Sequence, residues 1–257
     1  MISKNKIKFI RSLEYKKIRY KEGLFLAEGR KIVNELLTAG FCPNTIIGTE
    51  EWFISTKKDY LKKAELIIVD EKELCKASLL QHPQQVMGIF TIPNCNIIPT
   101  QEYFSNHLCL VLDNIQDPGN LGTIIRIADW FGISSIICSK ETVDAYSPKV
   151  VQATMGSIAR VKVFYTELIP FINTLPKDIP IYGTLLDGES IYSQSLSHNG
   201  IIIMGNEGQG ISPSIRQHIN RKLLIPPYPP DSSTAESLNV AIATAITIAE
   251  FRRQEIS

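Results

Sequence analysis

The sequence predicts an α/β protein built from two domains, and three observations support this fold class. Apolar strands and amphipathic helices alternate along nearly all of the 257 residues. In the second half the strands are almost continuous apolar runs, such as LCLVLDNI from residue 108 and GIIIMG from residue 200, which is typical of a parallel sheet covered by helices on both faces. A stretch without clear periodicity and with two prolines, 92–107, separates the two series.

The first series begins with a basic amphipathic helix near 3–18, followed by a strand at 24–29. A helix over 30–40 places apolar residues on one face and ends at Gly40. The remaining predicted elements alternate between strand and helix, near 44–49, 53–63, 64–70, 71–80 and 85–92. These elements predict a small α/β domain over 1–95, joined by a linker at 96–106 to a second domain at 107–257.

The second series predicts a larger sheet. Its strands are expected near 108–115, 134–139, 160–165, 179–186, 200–205 and 222–226. Its helices are expected over 119–131, 147–157, 166–175, 212–220 and 237–251. The last helix is apolar on nearly every face, so it has to be buried on all sides, by its own domain and by a second subunit.

The composition argues against a membrane protein, a secreted protein and a metalloprotein. No apolar run reaches membrane-spanning length, and the charged N-terminus lacks the apolar segment of a secretory signal. The five cysteines are scattered and form no CxxC pair, which argues against disulfides and against a metal site. We therefore expect a cytoplasmic protein without membrane contact and without a bound metal.

Positive charge is concentrated at the N-terminus. Residues 1–31 hold ten Lys or Arg against three Glu, whereas the whole chain has a net charge of +1. Tyr15 and Tyr20 are interleaved with these cations, a pattern expected for binding to a phosphate backbone, although a solvated helix face is the alternative. The candidate contacts to such a backbone are Lys6, Arg11, Lys16, Lys17, Arg19 and Arg30.

Three short patches carry the chemistry, and each lies where a strand ends or a helix begins. The first, DNIQDPGNLGTIIRIADWFG from residue 113, brings a glycine-containing turn to a helix start. It also places Arg126 within an otherwise apolar helix, where the arginine either reaches a crevice or extends to solvent. The second, MGNEGQG from residue 204, holds Glu207 among three glycines at the end of an apolar strand.

The third patch, ESLNVAIATAITIAEF from residue 236, opens the last helix. Ser237 has the residue type of a simple N-cap, but Asn239 inside the helix start is harder to explain structurally. A dinucleotide site is the rival interpretation, since Glu141 stands 22 residues after Gly119. However, GNLG does not match GxGxxG, and no GK[ST] follows that would make a P-loop.

The three patches, in this order, resemble the three motifs of the SpoU/TrmH family of RNA ribose 2′-O-methyltransferases, of the SPOUT class. The resemblance implies a parallel sheet whose C-terminal segment forms a trefoil knot, preceded by a small α/β substrate-binding domain of ribosomal-protein-like fold. It also implies S-adenosylmethionine as cofactor, ribosomal or transfer RNA as substrate, and a homodimer. A non-catalytic RNA-binding protein and an NAD-type dinucleotide enzyme remain as alternatives.

The resemblance also implies roles for particular residues. Catalytic positions fall on Asn120, Arg126, Glu207, Ser237 and Asn239. Cofactor-binding positions fall on Thr184, Leu185, Gly205, Ile225 and Leu238. The loop between Ile225 and Leu238 is longer and richer in proline than the family pattern, so its own contacts to the cofactor are not carried over.

Overall fold

The computed structural model describes residues 2–62, 64–94, 97–229 and 237–256. Its α-helices are α1 (Lys4–Ser12), α2 (Lys16–Glu22), α3 (Arg30–Thr38), α4 (Glu50–Ser55), α5 (Glu71–Ala77), α6 (Gln101–Asn106), α7 (Pro118–Trp130), α8 (Pro148–Thr154), α9 (Leu168–Asn173), α10 (Pro213–Arg216) and α11 (Val240–Ile256). Its strands are β1 (Leu24–Glu28), β2 (Pro43–Gly48), β3 (Glu65–Ile68), β4 (Val86–Thr91), β5 (Leu108–Leu112), β6 (Ser135–Ser139), β7 (Lys162–Thr166), β8 (Ile181–Ser190), β9 (Gly200–Met204) and β10 (Arg221–Leu224).

The chain divides into two compact units, which are not contiguous in sequence. The first comprises residues 1–94 and 144–160, and the second comprises 95–143 and 161–257. The segment 144–160, which contains α8, therefore belongs to the first unit, whereas the sequence boundaries place it in the second domain. The predicted boundary between residues 95 and 96 lies outside the described residues.

A four-stranded sheet forms the centre of the first unit, in the order β1-β4-β2-β3. β4 is antiparallel to both of its neighbours, and β2 pairs with β3 in parallel. One hydrophobic core contains Ile10 and Leu13 from the N-terminal helical region with Leu26, Ile47 and Ile89 from the sheet. Burial of these side chains is what holds the helices on the sheet.

Three predicted elements before residue 107 differ in the structure, and in the second unit the helix expected over 212–220 is the four-residue α10. The single helix expected near 3–18 is two helices, α1 and α2. The carbonyls between them do not continue the helix, because those of Leu13 and Glu14 accept hydrogen bonds from the Arg19 guanidinium, at 2.8 and 2.7 Å. The helix expected at 53–63 is the short α4 followed by a 3-10 turn at Lys58–Leu61. The expected linker contains α6, whose Phe104 is buried.

The second unit contains a six-stranded sheet in the order β10-β8-β9-β5-β6-β7, with every neighbouring pair parallel. The strands β5, β6 and β9 are buried along their whole length, as the continuous apolar runs predict. All the carboxyl ends meet at one edge, where open parallel sheets bind their ligands. The trefoil knot stays a prediction, since residues 230–236 of its C-terminal segment lie outside the described part.

No helix among the described residues is both long enough and apolar enough to cross a membrane.

Candidate active site

The start of α7 places Asn120 at the carboxyl edge of the sheet. Asp117 is the N-cap, and its carboxylate accepts a hydrogen bond from the backbone N–H of Asn120 at 2.8 Å. Pro118 occupies the first turn, where a missing N–H costs nothing. Leu121, Ile124 and Ile125 are fully buried and anchor the helix, so the amide of Asn120 is held at the edge facing the other strand ends.

The loop after β9 is braced by one asparagine. The side-chain oxygen of Asn206 accepts from the backbone N–H groups of Gly208 and Gln209, at 2.9 and 3.1 Å, and its amide donates to the carbonyl of Asn114 at 2.8 Å. Backbone hydrogen bonds in both directions join Asn206 to Gly210, whose φ of +70° favours glycine. The loop is thereby closed tightly around Glu207.

The start of α11 is capped by Asn239. Its side-chain oxygen accepts from the backbone N–H groups of Ala241 and Ile242, at 2.9 and 3.3 Å, which satisfies donors that a helix start otherwise leaves free. Ser237 and Leu238 lie just before the helix and are exposed. The cap of this helix is therefore Asn239, not Ser237.

The three patches meet through a chain of two hydrogen bonds. The amide nitrogen of Asn239 donates to the side-chain oxygen of Asn120 at 2.9 Å. The amide nitrogen of Asn120 then donates to Oε1 of Glu207, also at 2.9 Å. Both ends of the Asn120 amide are thus used, which sets its orientation and leaves Oε2 of Glu207 with no partner in the described part of the chain.

A cavity of about 360 Å³ lies beside this chain of hydrogen bonds, a volume within the range of small-molecule sites. All five predicted cofactor residues line it, namely Thr184, Leu185, Gly205, Ile225 and Leu238, and so do two of the predicted catalytic residues, Glu207 and Ser237. Its walls come from the middle of β8, from the ends of β9 and β10 with the loop after β9, and from the start of α11. Apolar residues and glycines make up most of the lining, as in other small-molecule sites.

Gly205 is the residue at which the cavity wall is most crowded. A Cβ at this position would lie 2.2 Å from both the carbonyl carbon of Gly210 and the nitrogen of Ile211. Because those neighbours are backbone atoms, no side-chain rotation could relieve the overlap. Only glycine permits this close approach of the loop to its own strand.

Arg126 does not join the other predicted catalytic residues in this chain. Its side chain is exposed on α7, and it forms no hydrogen bond or ion pair with any residue in the described ranges. Trp130, one turn later on the same helix, is 85% exposed. Arg126 and Trp130 therefore both lie at the surface of α7 in this chain.

The predicted RNA-contact set needs one correction. Arg19 is 2% exposed, and its guanidinium pairs with the carboxylate of Asp144 while donating to two backbone carbonyls. Burial of a charge with a matched partner is a structural arrangement, so Arg19 is not a surface contact. The adjacent Tyr20 also bonds Asp144, and burial together with that carboxylate raises the pKa of Tyr20 to about 12.

The other members of that set lie at the surface to different degrees. Lys6 is half-buried and paired with Glu65, whose pKa is lowered chiefly by this hydrogen bond. Arg11, Lys16, Lys17 and Arg30 are exposed. Lys16 lies over the ring of Tyr20, 5.7 Å from its centroid, so a cation and an aromatic ring occur together on this face.

Sequence reasoning missed two residues that shape the site. Asn206 stands inside the second patch, and its position between glycines at a strand end was a usable signal for a loop-bracing side chain. Asp113, at the end of β5, is 6% exposed and accepts from the backbone N–H of Ser212 at 2.7 Å. That bond joins segments 99 residues apart, and no local pattern predicts it.

Fold and site together define an α/β enzyme with a ligand cavity at the carboxyl edge of a parallel sheet. Two family models match the chain: the SpoU rRNA Methylase family over residues 107–249 and an MRM3-like substrate binding domain over residues 4–88. The chain belongs to the SpoU rRNA methylase family.

Individual relatives agree with this assignment. The 23S rRNA (guanosine(2553)-2′-O)-methyltransferase RlmP of Bacillus subtilis is 30% identical over 249 residues, covering 96% of each chain. The human mitochondrial rRNA methyltransferase 3 is 36% identical over 188 residues, which span 70% of this chain and 44% of that protein.

Solved structures agree as well. A TrmH-family protein from Porphyromonas gingivalis, described as a putative RNA methyltransferase, superposes with a TM-score of 0.87 at 38% identity and covers 99% of both chains. An AdoMet-bound rRNA methyltransferase from Sinorhizobium meliloti superposes with a TM-score of 0.86 at 31% identity, covering 100% of this chain and 98% of that one. Membership of this methyltransferase family argues against both alternatives, an NAD-type dinucleotide enzyme and a non-catalytic RNA-binding protein.

Proposed function

We propose that this chain, an S-adenosylmethionine-dependent RNA 2′-O-methyltransferase, modifies a ribose 2′-hydroxyl of ribosomal RNA and works as a homodimer. The observation that carries the proposal is the hydrogen-bond chain through Asn239, Asn120 and Glu207 beside a cavity lined by all five expected cofactor residues. The 23S rRNA specificity of RlmP and the MRM3-like domain support ribosomal RNA over transfer RNA. The free cysteines in the described ranges suit a reducing cytoplasmic location.

The cavity residues would hold S-adenosylmethionine, which supplies a methyl group on a sulfonium centre. Backbone groups around Gly205, Ile225 and Leu238 would bind its adenosine and amino acid parts, and Thr184 and Leu185 would flank it. Glu207 offers one free carboxylate oxygen toward the cavity, and Ser237 a hydroxyl. These groups would orient the ribose hydroxyl and exclude water from the reacting pair.

Arg126 would act on the RNA. A guanidinium stays protonated in proteins, so it is a poor general base. Its role would be to hold the target phosphate and stabilise the negative charge that develops on the 2′-oxygen, while the phosphate or a water accepts the proton. Since Arg126 has no partner in the described part of its own chain, it is available to reach the site of a second subunit.

The dimer rests on the exposed apolar surface of α7 and α11. Trp130 and Ile242 are 85% and 52% exposed, and Ile246 is half-buried. A two-fold interface is the usual way to cover such a surface.

The function is tested with tritiated S-adenosylmethionine and ribosomal RNA from a strain of the source organism that lacks this protein. Tritium is expected in the RNA, at a nucleotide that then resists alkaline cleavage, as a 2′-O-methylated ribose does. Label in transfer RNA alone would overturn the choice of ribosomal RNA, and absence of label from all RNA would overturn the proposed function.

Arg126→Ala is expected to lower the transfer rate by about a hundredfold or more, the loss typical for one electrostatic contact in a transition state. Affinity for S-adenosylmethionine, measured by calorimetry, should stay nearly unchanged because Arg126 is not among the described residues that line the proposed cofactor cavity. Lys177→Ala is the matched control, since it removes an exposed cation before β8. Full activity in Arg126→Ala would remove this residue from the mechanism.

A further inference from the structure

A second cavity, of about 530 Å³, lies at the carboxyl edge of the sheet beside the cofactor cavity. It is formed at the ends of β5, β6 and β7 and at the starts of α9 and α10. The two cavities share Asn206, Gln209 and Gly210. One face of the loop that carries Glu207 therefore lines the cofactor cavity, and another face lines this one. No residue to which the proposed methyl transfer assigns a role is among the described residues of this second cavity.

Two carboxylates of this cavity form no ion pair within the described ranges. Asp113 is 6% exposed, and only its Oδ2 is used, as acceptor for Ser212; in the described ranges its Oδ1 has no partner. Glu141 is exposed and forms no ion pair or hydrogen bond within the same ranges. By contrast, Glu167 is paired with Lys140 at 2.7 Å, and this pair raises the pKa of Lys140.

These groups restrict the chemistry of the occupant. Unpaired carboxylates repel a phosphate and only accept hydrogen bonds. Leu168, Pro170 and Ile215 supply an apolar wall. Across the part of the chain that the structure describes, no three His, Cys, Asp or Glu side chains come close enough together to hold a metal ion. The cavity therefore suits a group without negative charge that presents several N–H donors and packs a flat face against the apolar wall.

We propose that this cavity binds the guanine base of the nucleotide whose ribose is methylated, with Asp113 and Glu141 accepting hydrogen bonds from its N1–H and 2-amino groups. Guanine alone among the four RNA bases presents two adjacent donors on its Watson–Crick edge. Proteins that read RNA sequence commonly take an unstacked base into a pocket and read that edge. The inference rests on the proposed function, because the shared loop would hold the ribose of the same nucleotide beside the methyl donor.

Binding is tested first without catalysis. The full chain, with S-adenosylmethionine present, is titrated with guanosine and, separately, with adenosine, and the side-chain amide resonances of Asn114 and Gln209 are followed by NMR. Guanosine is expected to shift them, whereas adenosine is not, and Asp113→Asn should lose the response because it replaces the free acceptor with a donor. Absence of a guanosine response overturns the proposal, whatever the enzyme does with RNA.

Specificity is then tested by catalysis. An RNA hairpin containing the mapped methylation site is prepared with guanosine or inosine at the target, since inosine lacks only the 2-amino group. The full chain should lose about tenfold or more in kcat/KM with inosine, the usual cost of losing such a contact. In Glu141→Gln and Asp113→Asn the guanosine rate should fall and the ratio of the two rates should approach one.

The controls separate this proposal from the proposed function. Asp178→Asn removes an exposed carboxylate before β8 and should keep the ratio of the full chain. If Asp113→Asn fails to fold, the exposed Glu141→Gln carries the test. A mapped target other than guanosine, or a ratio near one in the full chain, overturns the guanine pocket. Amide shifts with guanosine but no methylation of any RNA would overturn the proposed function alone.

Discussion

Single residues of this site are constrained by backbone geometry as much as by chemistry. Gly205 is the clearest case, because its Cα faces the backbone of Gly210 and Ile211 across the loop. The three glycines around an acid predicted a tight turn and a close approach of the backbone here. Only the fold shows that the neighbour of Gly205 is the end of its own loop.

Gly205→Ala is expected to weaken binding of S-adenosylmethionine by about tenfold or more, since the added Cβ forces a backbone shift that typically costs about 1–3 kcal/mol. Titration calorimetry measures the affinity. Gly208→Ala is the matched control, because its Cβ would meet only Oδ1 of Asn206, at an ordinary 3.7 Å. Equal affinities for the two variants would show that the loop adjusts without cost.

At the scale of elements, the buried Arg19–Asp144 pair attaches α2 to the segment 144–160. Arg19→Ala leaves a buried carboxylate unpaired, and we expect a loss of about 3–5 kcal/mol in the unfolding free energy of the first unit. Urea unfolding followed by Trp52 fluorescence in a Trp130→Phe background isolates this unit, because the chain has two tryptophans. Lys16→Ala, an exposed cation on the same helix, should change the free energy little.

A double variant distinguishes pairing from packing. Arg19→Met combined with Asp144→Leu removes both charges, and it should recover most of the lost stability. If the single and double variants are equally unstable, the packing of the arginine stem and its bonds to backbone carbonyls matter more than the ion pair.

Glu28 at the end of β1 predicts a pH dependence of stability. Burial raises the pKa of Glu28, although hydrogen bonds from Ser78 and the backbone of Leu79 act in the opposite direction. The folded state therefore binds this proton more tightly than the unfolded chain does. Its stabilising contribution is fully present below the ordinary pKa of 4.5 and is lost as pH rises through the folded-state value.

Glu28→Gln removes that titration while keeping a similar shape. The difference in thermal midpoint between the variant and the parent chain should move in favour of the variant as pH rises from about 4.5 to neutrality. Because both chains contain the same other carboxylates, the contributions of those groups to the pH dependence cancel in the difference. Glu65, whose pKa is lowered, is one of them. A difference that is constant with pH would mean that Glu28 titrates alike in both states.

At the scale of the whole molecule, the proposed homodimer predicts complementation between inactive chains. At an S-adenosylmethionine concentration too low to occupy the weakened cavity of Gly205→Ala, Arg126→Ala and Gly205→Ala subunits are each expected to be nearly inactive alone. A mixed dimer would hold one site with an intact arginine and an intact cofactor cavity. Subunit exchange should therefore restore part of the methyl transfer. Light scattering establishes the mass first, and a monomer at working concentration contradicts the dimer.

If the subunits exchange but the mixture stays inactive, only the shared site is contradicted. The protein would still be a dimer, and Arg126 would act within its own chain.

Much of this protein follows from local patterns. Continuous apolar runs are sufficient to predict the parallel sheet, since strands covered on both faces need apolar side chains at every position. The family resemblance of the three motifs, and not their spacing alone, selected the five residues that line the cavity beside Glu207. The resemblance adds the reaction and the cofactor, which periodicity alone does not contain.

Tertiary structure decided the rest, and the reason in each case is a contact between distant segments. In the sequence, Arg19 is one cation among several near the N-terminus. In the structure it is buried and paired with the carboxylate of Asp144, 125 residues away. The segment 144–160, which carries Asp144, belongs to the first unit, so a cut at residue 95 would separate Asp144 from Arg19. Likewise, Asn120, Glu207 and Asn239 could be named from sequence, yet their order of hydrogen bonding arises only when three strand and helix ends meet at one edge of the sheet.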